Sequence, residues 1–267
     1  MSTVQIRFYA RLNEFLPADR RQKLLQCPLN GPLTAKHMVE AAGIPHTEVE
    51  VLIVNGRPVT FDYLLQADDR LAVYPEFTSL DTAGLPELRP ALPHPPRFVA
   101  DIHLGRLATF LRLLGFDTLY PADDGDEMLA EISQEEERVL LTRDRRLLMR
   151  KIVTFGCCLH SHSPYEQLQA VLVRYDLFDL IDPWQRCLRC NGRLHPVPKE
   201  DILHRLEPKT IRYYDDFRLC EICQQIYWKG SHYLTLQELV NRIQNKRQGQ
   251  TLPVPGTAQP DQHDPKP

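Results

Sequence analysis

No stretch of the chain reaches the ~18 consecutive apolar residues that a membrane-spanning helix needs. The opening MSTVQIRFYARL also lacks the apolar run of a signal peptide. The expectation is a cytoplasmic protein with no membrane partner. An excess of charge is missing as well: 32 Lys and Arg against 35 Asp and Glu leave a net charge of −3. That excludes a protein basic over its whole surface, while a local basic face remains open. Nor do the cysteines suggest a disulfide framework. There are seven, an odd number, with two CxxC pairs in a cytosolic setting, and this points to metal binding.

What is present is the composition of an ordinary globular protein. Hydrophobic residues at 43% and charged residues at 25% exclude disorder of the whole chain, and 267 residues favour more than one domain. Five segments are expected: 1–77, a proline-rich linker 78–96, 97–182, 183–243 and a disordered tail 244–267.

In the first segment VQIRFYA alternates like a half-buried strand and QKLLQC is its plausible partner. TAKHMVEAAG predicts a short helix, with Thr34 as N-cap and Gly43 as stop. EVEVLIVNGRPVT places an Asn55-Gly56 turn between two apolar runs, a strong hairpin signal, and RLAVYPEF adds a last strand. This order resembles the ubiquitin-like β-grasp fold, more narrowly the small sulfur carriers of the ThiS and MoaD kind. Those carriers act through a free Gly-Gly terminus that is activated as a carboxylate. Here the corresponding place reads YPEFTSLDTAG and continues into the linker, so the module is expected to bind a protein partner or to pack, not to carry sulfur.

TSLDTAGLPELRPALPHPP, with its dense prolines and no apolar periodicity, predicts an extended, semi-rigid spacer. From Arg97 strands and helices alternate. Phe98 to Asp101 reads as a buried strand ending in an acid, and Leu104, Leu107, Ala108, Leu111 and Leu114 recur at helical spacing before Gly115. A short strand at Phe116–Tyr120, a helix over DEMLAEISQEEE, a strand over RVLLT, a helix over RRLLMRK and a further apolar β-rich run, IVTFGCCL, follow. Ser163, Pro164 and Glu166 match a capping box opening one more helix. The fold class implied is α/β, a three-layer parallel sheet.

Cys187/Cys190 and Cys220/Cys223 form the sharpest chemical signal. Two CxxC turns can bring four thiolates to one tetrahedral zinc and leave no open position, so a structural zinc is expected, the alternatives being a redox dithiol or plain core cysteines. The 29 residues between Cys190 and Cys220 exceed the usual ribbon spacing of roughly 15 to 20, and KEDILHRL is expected to take up the excess as a helical insertion. His195, His204 and His232 are expected at the surface or in packing. Cys27, Cys157 and Cys158 read as small buried apolar residues.

The carboxylates are weaker signals singly. Asp101 and Asp144 are each suited to capping a helix, while Asp124, Asp126 and Glu127 suit a helix N-terminus. Together, strand-end acids from separate βα units and the acid-rich ADDGDE turn make a cluster that a divalent cation, magnesium or manganese, would neutralise. Such a site activates water for phosphodiester hydrolysis. Arg143, Arg145, Arg146, Arg150, Lys151 and Arg106 are available to hold a phosphate backbone or simply form solvated faces.

FVADIHLGRLATFLRLLGFDTLY, VLLTRDRRLL, RCLRCNGRL and YWKGSHY, in this order, resemble the Mut-seven C-terminal RNase family, a PIN-like nuclease domain fused to a zinc ribbon. A ubiquitin-like module in front is an arrangement known in that family. The resemblance implies that Asp101 and Asp144 are metal-binding acids, with Asp126 preferred and Asp124 next for the third, and that Cys187, Cys190, Cys220 and Cys223 bind zinc. A fourth acid is not evident, since Glu166 fits a cap better. The expectation is a Mg- or Mn-dependent ribonuclease acting on RNA. Asp101, Asp126 and Asp144 would hold the ion and Arg143 would steady the phosphate. Trp228 and Tyr233 are candidates for stacking on bases and Lys229 for meeting a phosphate; packing within the ribbon is their simpler role. The rival expectation is a non-catalytic RNA- or protein-binding module, in which the acids serve as caps and the ribbon makes the contacts.

Overall fold

The computed structural model describes residues 2–76, 84–121, 125–230, 233, 237–238 and 240–243. The start of the expected linker, Asp124, His232 and the expected disordered tail lie outside these residues. The chain divides into two compact units, Met1–Leu194 with Cys220–Cys223, and His195–Leu219 with Gln224–Pro267.

The first unit opens with β1 (Thr3–Phe8), β2 (Leu25–Pro28), helix α1 (Ala35–Ala41), β3 (Val51–Val54), β4 (Arg57–Val59) and β5 (Arg70–Tyr74). The strands form one sheet in the order β2-β1-β5-β3-β4. Its central pair β1 and β5 is parallel and the other pairs are antiparallel, which is a β-grasp. The alternation in β1 buries Val4, Ile6 and Phe8. Thr34 caps α1 as expected, its hydroxyl accepting from the His37 amide at 3.2 Å. Asn55 and Gly56 both have positive φ, 50° and 81°, as the tight β3–β4 turn requires.

The α/β part of the same unit runs β6 (Phe98–Ala100), α2 (Gly105–Leu113), β7 (Thr118–Leu119), α3 (Asp126–Glu135), β8 (Val139–Thr142), α4 (Arg145–Leu148), β9 (Gly156–Cys158) and α5 (Pro164–Arg174). All strand pairs are parallel, in the order β7-β6-β8-β9. Parallel strands need crossovers, and right-handed crossovers place α2 and α3 on opposite faces; α5 packs beside α2, while α3 lies on β6 and β8. Helix α2 ends on Gly115, at φ 96°, with Phe116 N–H bonded to Leu111 O at 3.0 Å and Gly115 N–H to Arg112 O at 3.0 Å, a Schellman closure.

The β-grasp and the parallel sheet are not separately cored. Leu12, Leu52 and Val73 of the former belong to one continuous apolar cluster with Leu140, Leu147 and Val153 of the latter. In the proline-rich segment between them, Arg89 pairs with Glu50 and donates to Val49 O at 2.8 Å.

The rest of the chain supplies β10 (Leu194–Val197), α6 (Lys199–Ile202), α7 (Pro208–Tyr213), β11 (Phe217–Cys220) and β12 (Ile226–Trp228), with sheet order β10-β11-β12. The expected insertion between the two CxxC pairs is therefore two short helices. Ile202, Phe217 and Ile226 form the small core of the second unit. Trp228 keeps 38% of its surface exposed and lies tilted against Phe217 at 6.3 Å between ring centroids. Lys229 pairs with Asp216 at 2.8 Å. Two local expectations are corrected. Cys27 is only half-buried, because β2 is an edge strand. Ser163 caps α5, its hydroxyl accepting from Glu166 N–H at 3.5 Å with Pro164 opening the helix, but the box is not reciprocal: the Glu166 carboxylate accepts from the Ser161 hydroxyl at 2.5 Å, which also takes the Ser163 amide.

Candidate active site and metal centre

In a sheet ordered β7-β6-β8-β9 the chain steps from β6 to one side and then crosses back to the other. The crossovers therefore diverge between β6 and β8, and the crevice beyond the carboxyl ends of those two strands is the topological switch point, where open α/β sheets bind ligands. Asp101 follows β6 directly, Thr142 ends β8, and Arg143 and Asp144 follow it. The pairing register sets Ala100 beside Leu141, and Asp101 N–H continues it by donating to Leu141 O at 3.0 Å. The two expected strand-end acids thus arrive at the same crevice.

Thr142 connects them. Its buried hydroxyl donates to Asp101 Oδ2 at 2.6 Å and accepts from the Asp144 amide at 2.9 Å. Asp101 is 7% exposed, and it precedes a 3-10 turn without making a side-chain cap, so its burial is not explained by capping. Asp144 does cap, its Oδ1 accepting from Arg146 N–H at 2.7 Å. Arg143, half-buried between Thr142 and Asp144, places Nη2 2.5 Å from His162 Nε2. Asp126 stands exposed in the first turn of α3, the position a helix N-terminus favours for an acid. Among the described residues, Asp101, Asp126 and Asp144 do not form a set of three whose ligand oxygens all lie within 4.8 Å of one another. Thr142 and His162 were missed by sequence reasoning: the first looked like one more β-branched strand residue, and no spacing signals the second.

The cysteines are gathered. One sulfur from each of Cys187, Cys190, Cys220 and Cys223 lies within 4.8 Å of all the others, with Cys187–Cys223 at 3.6 Å and Cys190–Cys220 at 3.4 Å. A tetrahedral zinc with bonds of about 2.3 Å sets sulfurs ~3.8 Å apart, so the set fits that ion. Backbone amides support it: Gly192 N–H reaches the Cys190 sulfur, and Ile222 and Cys223 N–H the Cys220 sulfur. The exposed His195 and His204 take no part.

The first CxxC turn is bolted to the end of the parallel sheet by polar groups that sequence reasoning did not pair. Arg112 is buried on α2 and donates to Thr118 O at 2.8 Å and to Leu188 O and Arg189 O, both at 3.0 Å; a planar guanidinium can serve three carbonyls at once. Asn191 donates to Asp117 Oδ1 at 2.8 Å and accepts from Thr118 N–H at 3.0 Å. Burial by itself would raise the Asp117 carboxyl, but hydrogen bonds from Arg138 and Asn191 hold it below its ordinary value.

The β-grasp packs against β9 and α5. Glu48, 2% exposed, takes Arg174 Nη1 on both carboxylate oxygens at 2.9 and 2.7 Å and the Cys158 amide at 2.7 Å. Burial pushes the Glu48 carboxyl up, and the charges of Arg174 and then Arg11 more than offset this, leaving it below the usual carboxylate range. Burial next to Glu48 lifts the Cys158 thiol to about 12, so that cysteine is an inert packing group. Arg145, expected among the phosphate-holding residues, instead donates to Phe15 O at 2.8 Å and lies over the Phe15 ring.

No curated protein and no solved structure matches the chain. Two family descriptions do: Mut7-C ubiquitin over residues 1–81 and Mut7-C RNAse domain over residues 96–240. The second spans more than half of the chain, covering the switch-point acids and all four clustered cysteines, and the chain belongs to the Mut7-C RNAse domain family.

Proposed function

We propose that this protein is a metal-dependent ribonuclease that hydrolyses RNA phosphodiester bonds at the switch point between β6 and β8, and that it acts in the cytoplasm. The observation that carries this is the Asp101–Thr142–Asp144 linkage. A carboxylate buried at the end of a parallel strand, bonded to the hydroxyl that also receives the amide of a second acid, is a held pair of oxygen ligands. Oxygen donors suit a hard ion such as magnesium or manganese. Asp101 and Asp144 would hold it, with Asp126 or Asp124 as the third acid. A divalent ion there would supply an activated water and stabilise charge on the leaving oxygen. Thr142 anchors Asp101 through its hydroxyl, and Arg143, in contact with His162, would steady the phosphate. The four cysteines hold a structural zinc. The proposed division remains 1–77, 78–96, 97–182, 183–243 and 244–267, with the β-grasp in a packing role that its shared apolar core supports.

The test is hydrolysis of single-stranded and structured RNA by the full chain with magnesium or manganese. Asp101→Asn and Asp144→Asn should each remove the activity. Thr142→Val, isosteric but without the hydroxyl, should lower it by about 10- to 100-fold, as loss of a ligand-orienting partner does. The rival reading, a non-catalytic RNA- or protein-binding module, draws on the Asp144 cap and on Asp126 in the first turn of α3. It is favoured if the parent leaves RNA intact, or if Asp144→Asn cleaves like the parent.

A further inference from the structure

Strand β2 lies at one end of the sheet order β2-β1-β5-β3-β4, and among the described residues no strand pairs with its outer edge. The register shows which groups that edge offers. Leu29 N–H donates to Ser2 O at 2.9 Å, and β2 runs antiparallel to β1 with Cys27 opposite Val4 and Gln26 opposite Gln5. Hydrogen-bonded and non-hydrogen-bonded pairs alternate in such a ladder, so Leu25 and Cys27 bond to β1 while the N–H and C=O of Gln26 point away from it. The same alternation on β1 turns Gln5 N–H to its other neighbour, where it donates to Asp69 O at 2.8 Å. Gln26 is exposed. Pro28, at the next outward position, offers only a carbonyl and bounds the open stretch.

A cavity of about 480 Å³ opens beside this edge, between β2 and α1, in the size range of ligand pockets. Leu16, Leu25, Cys27, Leu33, Met38 and Ala41 make its lining mainly apolar. Burial raises the Cys27 thiol above its ordinary value, so it packs there and is no nucleophile. Arg20 and His37 also line the cavity, and both are exposed. Arg21 and Lys23, exposed as well, stand between Arg20 and the strand. Among the described residues none of these three cations has an acidic partner, and the only acid from Ala18 to Leu29 is Asp19. Leu24, just before β2, keeps 54% of its surface exposed.

We propose that this edge and cavity dock an extended segment of a partner protein, apolar with an acidic flank, which joins the sheet as a strand beside β2. Strand addition draws affinity from main-chain bonds and specificity from pockets for alternate side chains. Gln26 N–H and C=O would pair with the incoming backbone, one apolar side chain would enter the cavity, and the acidic flank would meet Arg20, Arg21 and Lys23. A second copy of the chain is the poorer occupant, because its own β2 brings the same three cations to the same edge. The inference does not draw on the ribonuclease reading.

The test is calorimetric titration of the full chain with an acetylated, amidated heptapeptide: two aspartates followed by alternating valine and threonine. It should bind with a Kd below about 1 mM. Lysine in place of both aspartates should weaken binding by about tenfold, a gap that added salt narrows. Two further peptides carry N-methyl groups on the valine amides or on the threonine amides. Only one of them should lose about tenfold or more in affinity, because only alternate amides of a strand face its neighbour. On the protein side, Gln26→Pro removes an N–H that β1 does not use, which an edge strand tolerates, and Ala41→Trp fills the cavity from an exposed position of α1. Each should weaken binding by about tenfold with the thermal midpoint retained. No binding at about 1 mM, equal effects of the two methylated sets, or binding untouched by both variants overturns the proposal. A free chain that sediments as a dimer, and that Gln26→Pro returns to a monomer, gives the edge to a second copy and overturns the partner assignment.

Discussion

Glu48→Gln is the most informative single perturbation of the join between the β-grasp and the nuclease-like sheet. Glutamine keeps an oxygen to accept from Cys158 N–H but removes the charge opposite Arg174, whose side chain is 7% exposed. Breaking a buried ion pair from one side costs about 3–5 kcal/mol, because the remaining charge is left uncompensated. Urea melts of parent and variant at pH 7 should differ by that amount. The pH dependence carries a sign. Because the Glu48 carboxyl titrates lower in the folded protein than in the unfolded chain, its contribution is fully present above the unfolded value of about 4.3 and fades as pH falls through the folded value. The gap between parent and variant should therefore close in acid. Replacing both partners with apolar residues, Glu48→Leu with Arg174→Met, should recover much of the loss, since matched apolar pairs often equal buried ion pairs. A Glu48→Gln difference below ~0.5 kcal/mol, within the range of an ordinary surface substitution, would refute the reasoning.

Metal analysis of the purified chain should return one zinc equivalent. Strong chelation or Cys220→Ser should unfold the ribbon, because structural zinc contributes about 10–16 kcal/mol of binding free energy to such modules; a zinc-free protein with an unchanged melting profile rules out the four-thiolate centre. Gly115→Ala should destabilise by at least ~2 kcal/mol in a denaturant titration. Its φ is 96°, and an added Cβ would fall 2.2 Å from the Asp182 carbonyl oxygen, so steric overlap adds to the roughly 1–2 kcal/mol of a left-handed residue. A midpoint equal to that of the parent would contradict the Schellman closure of α2.

Much of the local structure was legible. Thr34 announced α1, the Asn55-Gly56 pair announced the hairpin, Gly115 marked the end of α2, and the two CxxC pairs found each other across a long insertion. Each depends on a residue and its immediate neighbours. The candidate active site was only half legible. Asp101 and Asp144 stood out as acids at strand ends, but Thr142, which joins them, looked like any β-branched residue of a buried strand. Arg112, on a helix where arginine is usually solvated, is buried because the nearby Thr118 carbonyl and two carbonyls far along the chain, of Leu188 and Arg189, converge on it.

By itself, the sequence determined the elements, their caps and the thiolate donor set, because periodicity, turn chemistry and CxxC geometry act over a few residues. Only the tertiary structure decided that β6 and β8 are neighbours, so that Asp101 meets Thr142 across 41 residues, and that Glu48 meets Arg174 across 126. Strand order follows from which face each crossover takes, and that is set by how whole apolar faces bury against one another. The same packing joined the β-grasp to the parallel sheet in one apolar core, a role that no short stretch of its residues encodes.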